Sequence, residues 1–176
     1  MNDQNRTFSR VPTRIKGHAR LVPGPEVQPM FSGCAACNLD ITSDILAGSG
    51  FPPQAAKLLS AMNTKIDMIL GHLDQQDVRD DYPLGMDIVE LSAAGLKFMS
   101  ERKFTIDEHL EAVLILSRYP LRMAGVVGTV VREESWNDNP LYVVGFTNLR
   151  EQDREAIIQF VFQEQREIIR RGKHAE

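Results

Sequence analysis

Residues 51–79 carry the feature that most limits how this chain can fold, a run of apolar residues at helical spacing. Six of them recur at intervals of four and three residues in turn: Ala55, Leu59, Met62, Ile66, Ile69 and Leu73. This heptad pattern predicts an amphipathic helix, and Pro52 and Pro53 suit its first turn. About 27 residues rising 1.5 Å each would form a rod of roughly 40 Å.

A helix of that length is too long for a small domain to cover, because ~100 residues have a radius of gyration of only ~13 Å. Its apolar stripe is also wider than a two-stranded coiled coil requires. We therefore predict self-association above the dimer. The residues expected at this interface are Leu59, Met62, Ile66, Ile69 and Leu73. The alternative is an amphipathic helix that lies on its own domain.

The charge of the chain is uneven and argues against general nucleic-acid binding. The 176 residues carry a net charge of −4 at pH 7, whereas nucleic-acid-binding proteins usually have a basic excess. Residues 1–20 nevertheless hold five basic residues against one acidic residue, a charge of +4. One hypothesis, weaker than the two functions described below, is that this basic arm binds nucleic acid. It predicts an affinity for nucleic acid that falls steeply as the salt concentration rises.

The sequence also indicates a compartment. It has no apolar run near the ~20 residues of a membrane helix and no apolar signal-peptide core. We expect a cytoplasmic protein without membrane insertion, so that Cys34 and Cys37 lie in reducing conditions, where structural disulfides are rare. A zinc site needs four ligands, and no second cysteine pair or matching histidine spacing exists. We therefore expect two reduced thiols and no metal.

The chain divides into three parts. Residues 1–50 comprise the basic arm and the first strand or strands, with a strand expected from about Thr13 to Val22. Residues 51–80 form the heptad helix. In residues 81–176, short segments of alternating or β-branched residues separated by turn formers predict antiparallel strands, followed by a helix from about Leu149 to Arg171.

The segment DIVELSAAGLKF, at positions 87–98, carries a carboxylate and a hydroxyl two residues apart, just before a glycine turn. Residues two apart in a strand share one face of a sheet, so Glu90 and Ser92 are expected together on the outer face. A site that holds a polar ligand against the outside of the sheet would need such a pair. An ordinary polar strand face is the alternative, and Gly95 is expected to be a turn glycine in either case.

Together with the N-terminal segment, this stretch resembles PilZ domains. ELSAAGLKF is similar to their motif Asp/Asn-x-Ser-x-x-Gly, and RTFSR, from Arg6 to Arg10, is similar to Arg-x-x-x-Arg. The segment from Gly128 to about Arg171 resembles the last strands and terminal helix of the family. The resemblance implies an α+β fold, a six-stranded antiparallel β-barrel with the long helix inserted and a C-terminal helix.

The resemblance also implies a ligand, the bacterial second messenger cyclic di-GMP, and a downstream partner that controls motility, pili or exopolysaccharide. Arg6 and Arg10, on an arm free to fold over the ligand, would pair with guanine or phosphate oxygens and stack on a base. Ser92 would hydrogen-bond base or phosphate, and Glu90 would accept from guanine N–H groups. Gly95 would let the backbone approach closely.

Two departures from the family pattern keep a second function open. Position 90 is Glu where the family has Asp or Asn, and the two motifs are about 80 residues apart because the helix lies between them. The heptad helix resembles those of a minority of PilZ proteins that form tetramers, some of which have lost the nucleotide site. A tetramer is therefore favoured, and the alternative function is an oligomeric scaffold that binds only protein.

Nothing in the sequence argues for catalysis. There is no nucleophile elbow, no phosphate-cradling glycine loop and no metal-ligand spacing. We therefore expect a protein that is not an enzyme and has no cofactor.

Overall fold

The computed structural model describes residues 9–33, 50 and 52–173. Within them the chain forms six strands and two helices. In chain order these are β1 (Arg10–Leu21), α1 (Pro53–Asp81), β2 (Leu84–Ser92), β3 (Gly95–Met99), β4 (His109–Arg118), β5 (Leu121–Trp136), β6 (Asn139–Asn148) and α2 (Glu151–Lys173). Arg6, Cys34 and Cys37 lie outside the described residues.

The six strands form a closed antiparallel barrel in the order β1-β2-β3-β6-β5-β4. The strand β1 closes it, because it pairs with β2 on one side and with β4 on the other. The predicted α+β fold with a six-stranded barrel is confirmed. β1 begins at Arg10, three residues earlier than the sequence indicated, so Arg10 is part of the barrel and not of a free arm.

The interior is apolar and closed by α2. Phe98, Phe104 and Tyr142 pack with ring centroids 5.2–5.5 Å apart. Ile157 and Val161, one turn apart on α2, are buried in the same cluster, which fixes the helix across the barrel. Burial of large apolar side chains is the main contribution to the stability of such a core.

The buried residues of the helix α1 lie in its C-terminal half. Its buried residues are Gly71 and Val78, seven residues apart and so on one face. A Cβ added at Gly71 would lie 3.4 Å from Leu121 of β5. Val78 and Tyr82 join a second apolar cluster with Phe31 and residues of β4 and β5.

The predicted interface residues of α1 are exposed. Eight large apolar side chains of the helix are between 38% and 62% exposed: Leu58, Leu59, Met62, Ile66, Met68, Ile69, Leu70 and Leu73. In heptad terms Gly71 and Val78 occupy f positions, on the side of the helix away from the a and d positions. The heptad stripe therefore points away from the barrel, and no described part of the chain covers it.

A buried carboxylate joins α1 to the barrel. Glu111 of β4 has no solvent exposure, and its Oε2 accepts hydrogen bonds from Arg20 Nε at 2.9 Å and Nη2 at 2.6 Å. Its Oε1 accepts from the Tyr82 hydroxyl at 2.6 Å and from the backbone N–H groups of Met30 and Phe31 at 2.7 and 3.0 Å.

These contacts decide the ionisation of Glu111. Burial alone would raise the pKa of the carboxyl, but the hydrogen bonds from Tyr82, Phe31 and Arg20 outweigh burial, and the pKa is lowered. Burial and the bond to Glu111 raise the pKa of the Tyr82 hydroxyl, which stays a donor. The ionised carboxylate thus holds together β4, β1, the segment at residues 30–31 and the end of α1.

Neither described helix has an uncharged apolar stretch of the length needed to cross a lipid bilayer.

We predict that Glu111→Gln lowers the free energy of unfolding at pH 7 by about 3–5 kcal/mol, the usual effect of removing one partner of a buried ion pair. The folded-state pKa is depressed, so this stabilisation is present above the unfolded pKa of about 4.3 and is lost as the pH falls below it. Urea unfolding of wild type and variant at pH 7, and at a series of pH values that falls from the unfolded pKa through the folded pKa, measures both effects. Glu133→Gln, at an exposed position on β5, is the control. An equal effect of both changes would contradict the role of Glu111.

Candidate functional site

The structure brings four of the five predicted ligand residues to one cleft. Arg10, Glu90, Ser92 and Gly95 line a depression of about 140 Å³ beside the β2–β3 turn. Arg10 pairs directly opposite Ser92 in the β1–β2 ladder, although 82 positions separate them in the sequence. The fifth, Arg6, lies outside the described residues. The inserted helix therefore does not separate Arg10 from the second motif in space.

A β-bulge in β2 turns Glu90 outward. Ile88 and Leu91 are both buried, at 1% and 0% exposure, whereas strict alternation would direct them to opposite faces. The β2–β3 register shifts between Ile88 and Glu90, as a bulge requires. The side chain of Glu90 is consequently 31% exposed at the cleft, where alternation from Ile88 would have turned it into the core.

Glu90 is paired with the motif arginine. Its Oε1 accepts a hydrogen bond from Arg10 Nη1 at 3.4 Å, and its Oε2 is 3.9 Å from Lys97 Nζ. Arg10 is 41% exposed, so solvent screens this pair and it adds little to stability. The ion pair instead sets the position of Arg10, because it directs the guanidinium group across the cleft.

Lys97 and Arg132 are cleft residues that the sequence analysis missed. Lys97 Nζ donates to Glu134 Oε2 at 2.9 Å, and Arg132 Nη2 lies 2.8 Å from Glu134 Oε1. Hydrogen bonds from Lys97, and then from Arg132, lower the pKa of Glu134. Five side chains of alternating sign thus cross the outer face of the barrel and are called the charge row below: Arg10, Glu90, Lys97, Glu134 and Arg132.

Ser92 lines the same cleft as Arg10 and Glu90 but is largely buried there. The residue as a whole is only 5% exposed to solvent. Its hydroxyl donates to the Gly95 carbonyl at 3.0 Å and accepts from the Ala94 N–H at 3.3 Å. The hydroxyl therefore stabilises the β2–β3 turn, and the fold alone gives the serine a role.

Gly95 is explained by close packing of two strands. A Cβ added there would overlap the carbonyl oxygen of Val144 on β6. The described glycines with positive φ are Gly33 and Gly50, so Gly95 is not a turn glycine of that kind. The close approach that this glycine permits is to a neighbouring strand.

The molecule has another, larger groove. It has a volume of about 840 Å³ and is lined by the first residues of β2, the last of β3 and β4, and Arg79 of α1. None of the four described ligand candidates, Arg10, Glu90, Ser92 and Gly95, contributes to it. Within the described part of the chain, no group of three His, Cys, Asp or Glu residues could hold a metal ion.

Comparison with known families decides the relationship that the motifs indicated. A family model described as the PilZ domain matches residues 73–163, more than half of the chain. The chain belongs to the PilZ family. No curated protein matches it.

Solved PilZ structures share the fold. A tetrameric PilZ domain from Xanthomonas campestris, described as self-assembled via an unusual helical bundle, has a TM-score of 0.57 and 14% identity over 94% of this chain and 92% of its own. YcgR from Escherichia coli, in complex with c-di-GMP, has a TM-score of 0.55 and 8% identity over 98% of this chain and 51% of its own.

An inhibitor of motility from Bacillus subtilis, MotI/DgrA, has a TM-score of 0.52 and 11% identity over 92% of this chain and 52% of its own. This PilZ chain thus spans about half the length of the Escherichia coli and Bacillus subtilis proteins. At such identities the likeness establishes the fold alone.

We predict that Gly95→Ala destabilises the protein by about 1–3 kcal/mol, the usual cost of overpacking, because the added methyl group collides with backbone. Gly85→Ala, in the neighbouring strand β2, is the matched control, since a Cβ there meets nothing within 4 Å. Thermal unfolding of both variants checks this. If Gly95→Ala unfolds like Gly85→Ala, the packing role of Gly95 is wrong.

Proposed function

We propose that this PilZ protein is an oligomeric, non-enzymatic receptor for cyclic di-GMP, which relays the level of the messenger to a partner controlling motility, pili or exopolysaccharide. The observation that carries the proposal is the arrangement of Arg10, Lys97 and Arg132 around one cleft, at the turn that bears the second PilZ motif. A cyclic dinucleotide carries two phosphates, and three cations beside one small depression suit such a ligand.

The cleft suits one part of a dinucleotide. Its volume of about 140 Å³ is below the ~300–1,000 Å³ of pockets that enclose small molecules. The ligand would therefore lie across the outer face of the barrel. Arg10, 41% exposed, would bind guanine O6 and N7 or a phosphate through its guanidinium fork, and Arg6 would approach from the preceding segment.

The family supports this proposal in two ways. The Escherichia coli relative is described in complex with c-di-GMP, and the Bacillus subtilis relative is described as an inhibitor of motility. Binding of the dinucleotide and inhibition of motility are therefore each described for a protein of this fold.

A second candidate function is an oligomeric scaffold that binds protein and has lost the nucleotide. It is favoured by the hydrogen bond between Arg10 and Glu90, which occupies the motif arginine with a carboxylate of the protein itself. The internal hydrogen bonds of Ser92 favour it too.

Titration calorimetry with cyclic di-GMP separates the two functions. We expect wild-type protein to bind, and Arg10→Ala to bind about 10- to 100-fold more weakly, because a hydrogen bond to a charged group contributes about 1.5–3 kcal/mol. Arg14→Ala removes the same charge from an exposed position on β1 that does not line the cleft, and it should bind like wild type. An absence of heat with wild-type protein would favour the scaffold, and equal binding by Arg10→Ala would refute the role of Arg10.

We also propose that α1 assembles the protein, with a tetramer favoured. Eight exposed large apolar side chains on one helix form a stripe that monomeric proteins rarely leave open. The stripe faces away from the barrel, so partner helices could cover it without moving the cleft. The Xanthomonas campestris protein, which is described as a tetramer built by a helical bundle, supports this geometry.

We predict that Ile66→Asp dissociates the assembly, because a charge at an a position of a packed helical bundle would be buried without a partner. Light scattering at matched concentration measures the change. Thr64→Asp puts the same charge at an exposed f position of the helix and should leave the assembly intact. A wild-type protein that is monomeric at tens of micromolar would end this proposal.

A further inference from the structure

The charge row is a set of cations that the protein itself already pairs with anions. Each of its two carboxylates lies between two cations, Glu90 between Arg10 and Lys97 and Glu134 between Lys97 and Arg132. The separations along the row are 3.4, 3.9, 2.9 and 2.8 Å. Lys97, in the centre, is only 19% exposed.

The topology fixes the positions of these side chains. Glu90 and Lys97 are direct partners across β2 and β3. Lys97 and Arg132 are both paired with Val143, from opposite sides of β6. The row thus rests on strands of a closed barrel, which place Lys97 and Arg132 beside the cleft.

A carboxylate in such a row occupies the place of a phosphate. Both groups present anionic oxygens that accept charge-assisted hydrogen bonds, so guanidinium and ammonium groups that hold one can hold the other. A tethered carboxylate also competes at a high effective concentration, because it never diffuses away. With both carboxylates ionised the row carries a net charge of +1, and without them +3.

We infer that Lys97 and Arg132 are phosphate-binding residues of this cleft and that Glu90 and Glu134 mask them, so that an anionic ligand binds by replacing the two carboxylates. This inference rests on the proposed function for the identity of the ligand. It gives a reason for the glutamate at position 90, since a residue one methylene shorter would reach Arg10 less readily.

The test is titration calorimetry of cyclic di-GMP with paired variants at one ionic strength. Glu90→Gln/Glu134→Gln should bind at least about tenfold more tightly than wild type, a difference of 1.4 kcal/mol. Glu101→Gln/Glu155→Gln removes the same two charges at exposed positions away from the cleft and should bind like wild type. This control separates the local effect from that of net charge.

The roles of the cations are tested in the unmasked variant. Adding Lys97→Gln or Arg132→Gln to Glu90→Gln/Glu134→Gln should abolish the gain in affinity. Glu90→Asp alone is a milder variant that keeps the charge but shortens the side chain, and it should give part of the gain. Thermal unfolding of each variant shows whether it is folded, and the milder variant carries the test if the double variant is not.

The outcomes distinguish this inference from the proposed function. If wild type gives no heat but the unmasked variant binds, the inference is supported and wild-type receptor activity is wrong. If both bind equally, the inference is overturned and the proposed function stands. If neither binds, both are overturned.

Discussion

The arrangement of the whole molecule depends on one ionised carboxylate. Glu111 is the third residue of the largely apolar strand β4, and burying a charge there is costly unless it is fully hydrogen-bonded. Arg20, Tyr82 and the N–H groups of Met30 and Phe31 supply the bonds. Arg20 belongs to β1, Met30 and Phe31 to the segment after it, and Tyr82 directly follows α1. Because Tyr82 is bound to Glu111, the carboxylate fixes the C-terminal end of α1 against the barrel. The direction of the exposed apolar stripe, and hence the geometry of any assembly, follows from that contact.

The sequence predicted the elements with strong periodic signals. The heptad run from Ala55 to Leu73 lies within α1, and the alternating segments after residue 84 form the strands of the barrel. Glu111 itself has a signal, a single acidic residue within HLEAVLILS, but its donors are distant in sequence and could not be identified without the fold. The predicted start of β1 at Thr13 is three residues late, because Pro12 occupies a register irregularity in the β1–β2 ladder and does not end the strand.

The candidate site was harder to predict than the fold. A strict period of two counted from Ile88 would turn Glu90 and Ser92 into the core, because the sequence does not show the bulge before Glu90 that shifts the phase of the strand. Lys97 and Glu134 are 37 residues apart and meet across β6, so their pairing depends on the strand order and not on any local pattern. A short motif shows which residue types are present, but the register of the strands decides which of their side chains meet.

The second PilZ motif of this chain therefore has two physical meanings. Ser92 and Gly95 are required by the turn and by the β3–β6 contact, whatever the cleft binds, so their presence alone says little about a ligand. The residues whose chemistry is not used by the fold are the charged ones around them. On the outer face of the barrel, the phosphates of a dinucleotide and two carboxylates of the chain would compete for the same cations. The outcome of that competition decides whether the protein is a receptor or a scaffold.

The long helix between the motifs has little effect on the geometry of the cleft, although it adds many residues between them. The cost of closing a connection grows only with the logarithm of its length, and the ladder between β1 and β2 returns Arg10 to the position opposite Ser92. An insertion at this point can lengthen the chain and build an assembly surface while leaving the cleft unchanged. Along β1, Arg10 at the cleft and Arg20 at Glu111 are ten residues apart, about 33 Å in an extended strand. One barrel strand thus carries both the candidate ligand residue and the contact that orients α1, which gives ligand binding and assembly a shared rigid element.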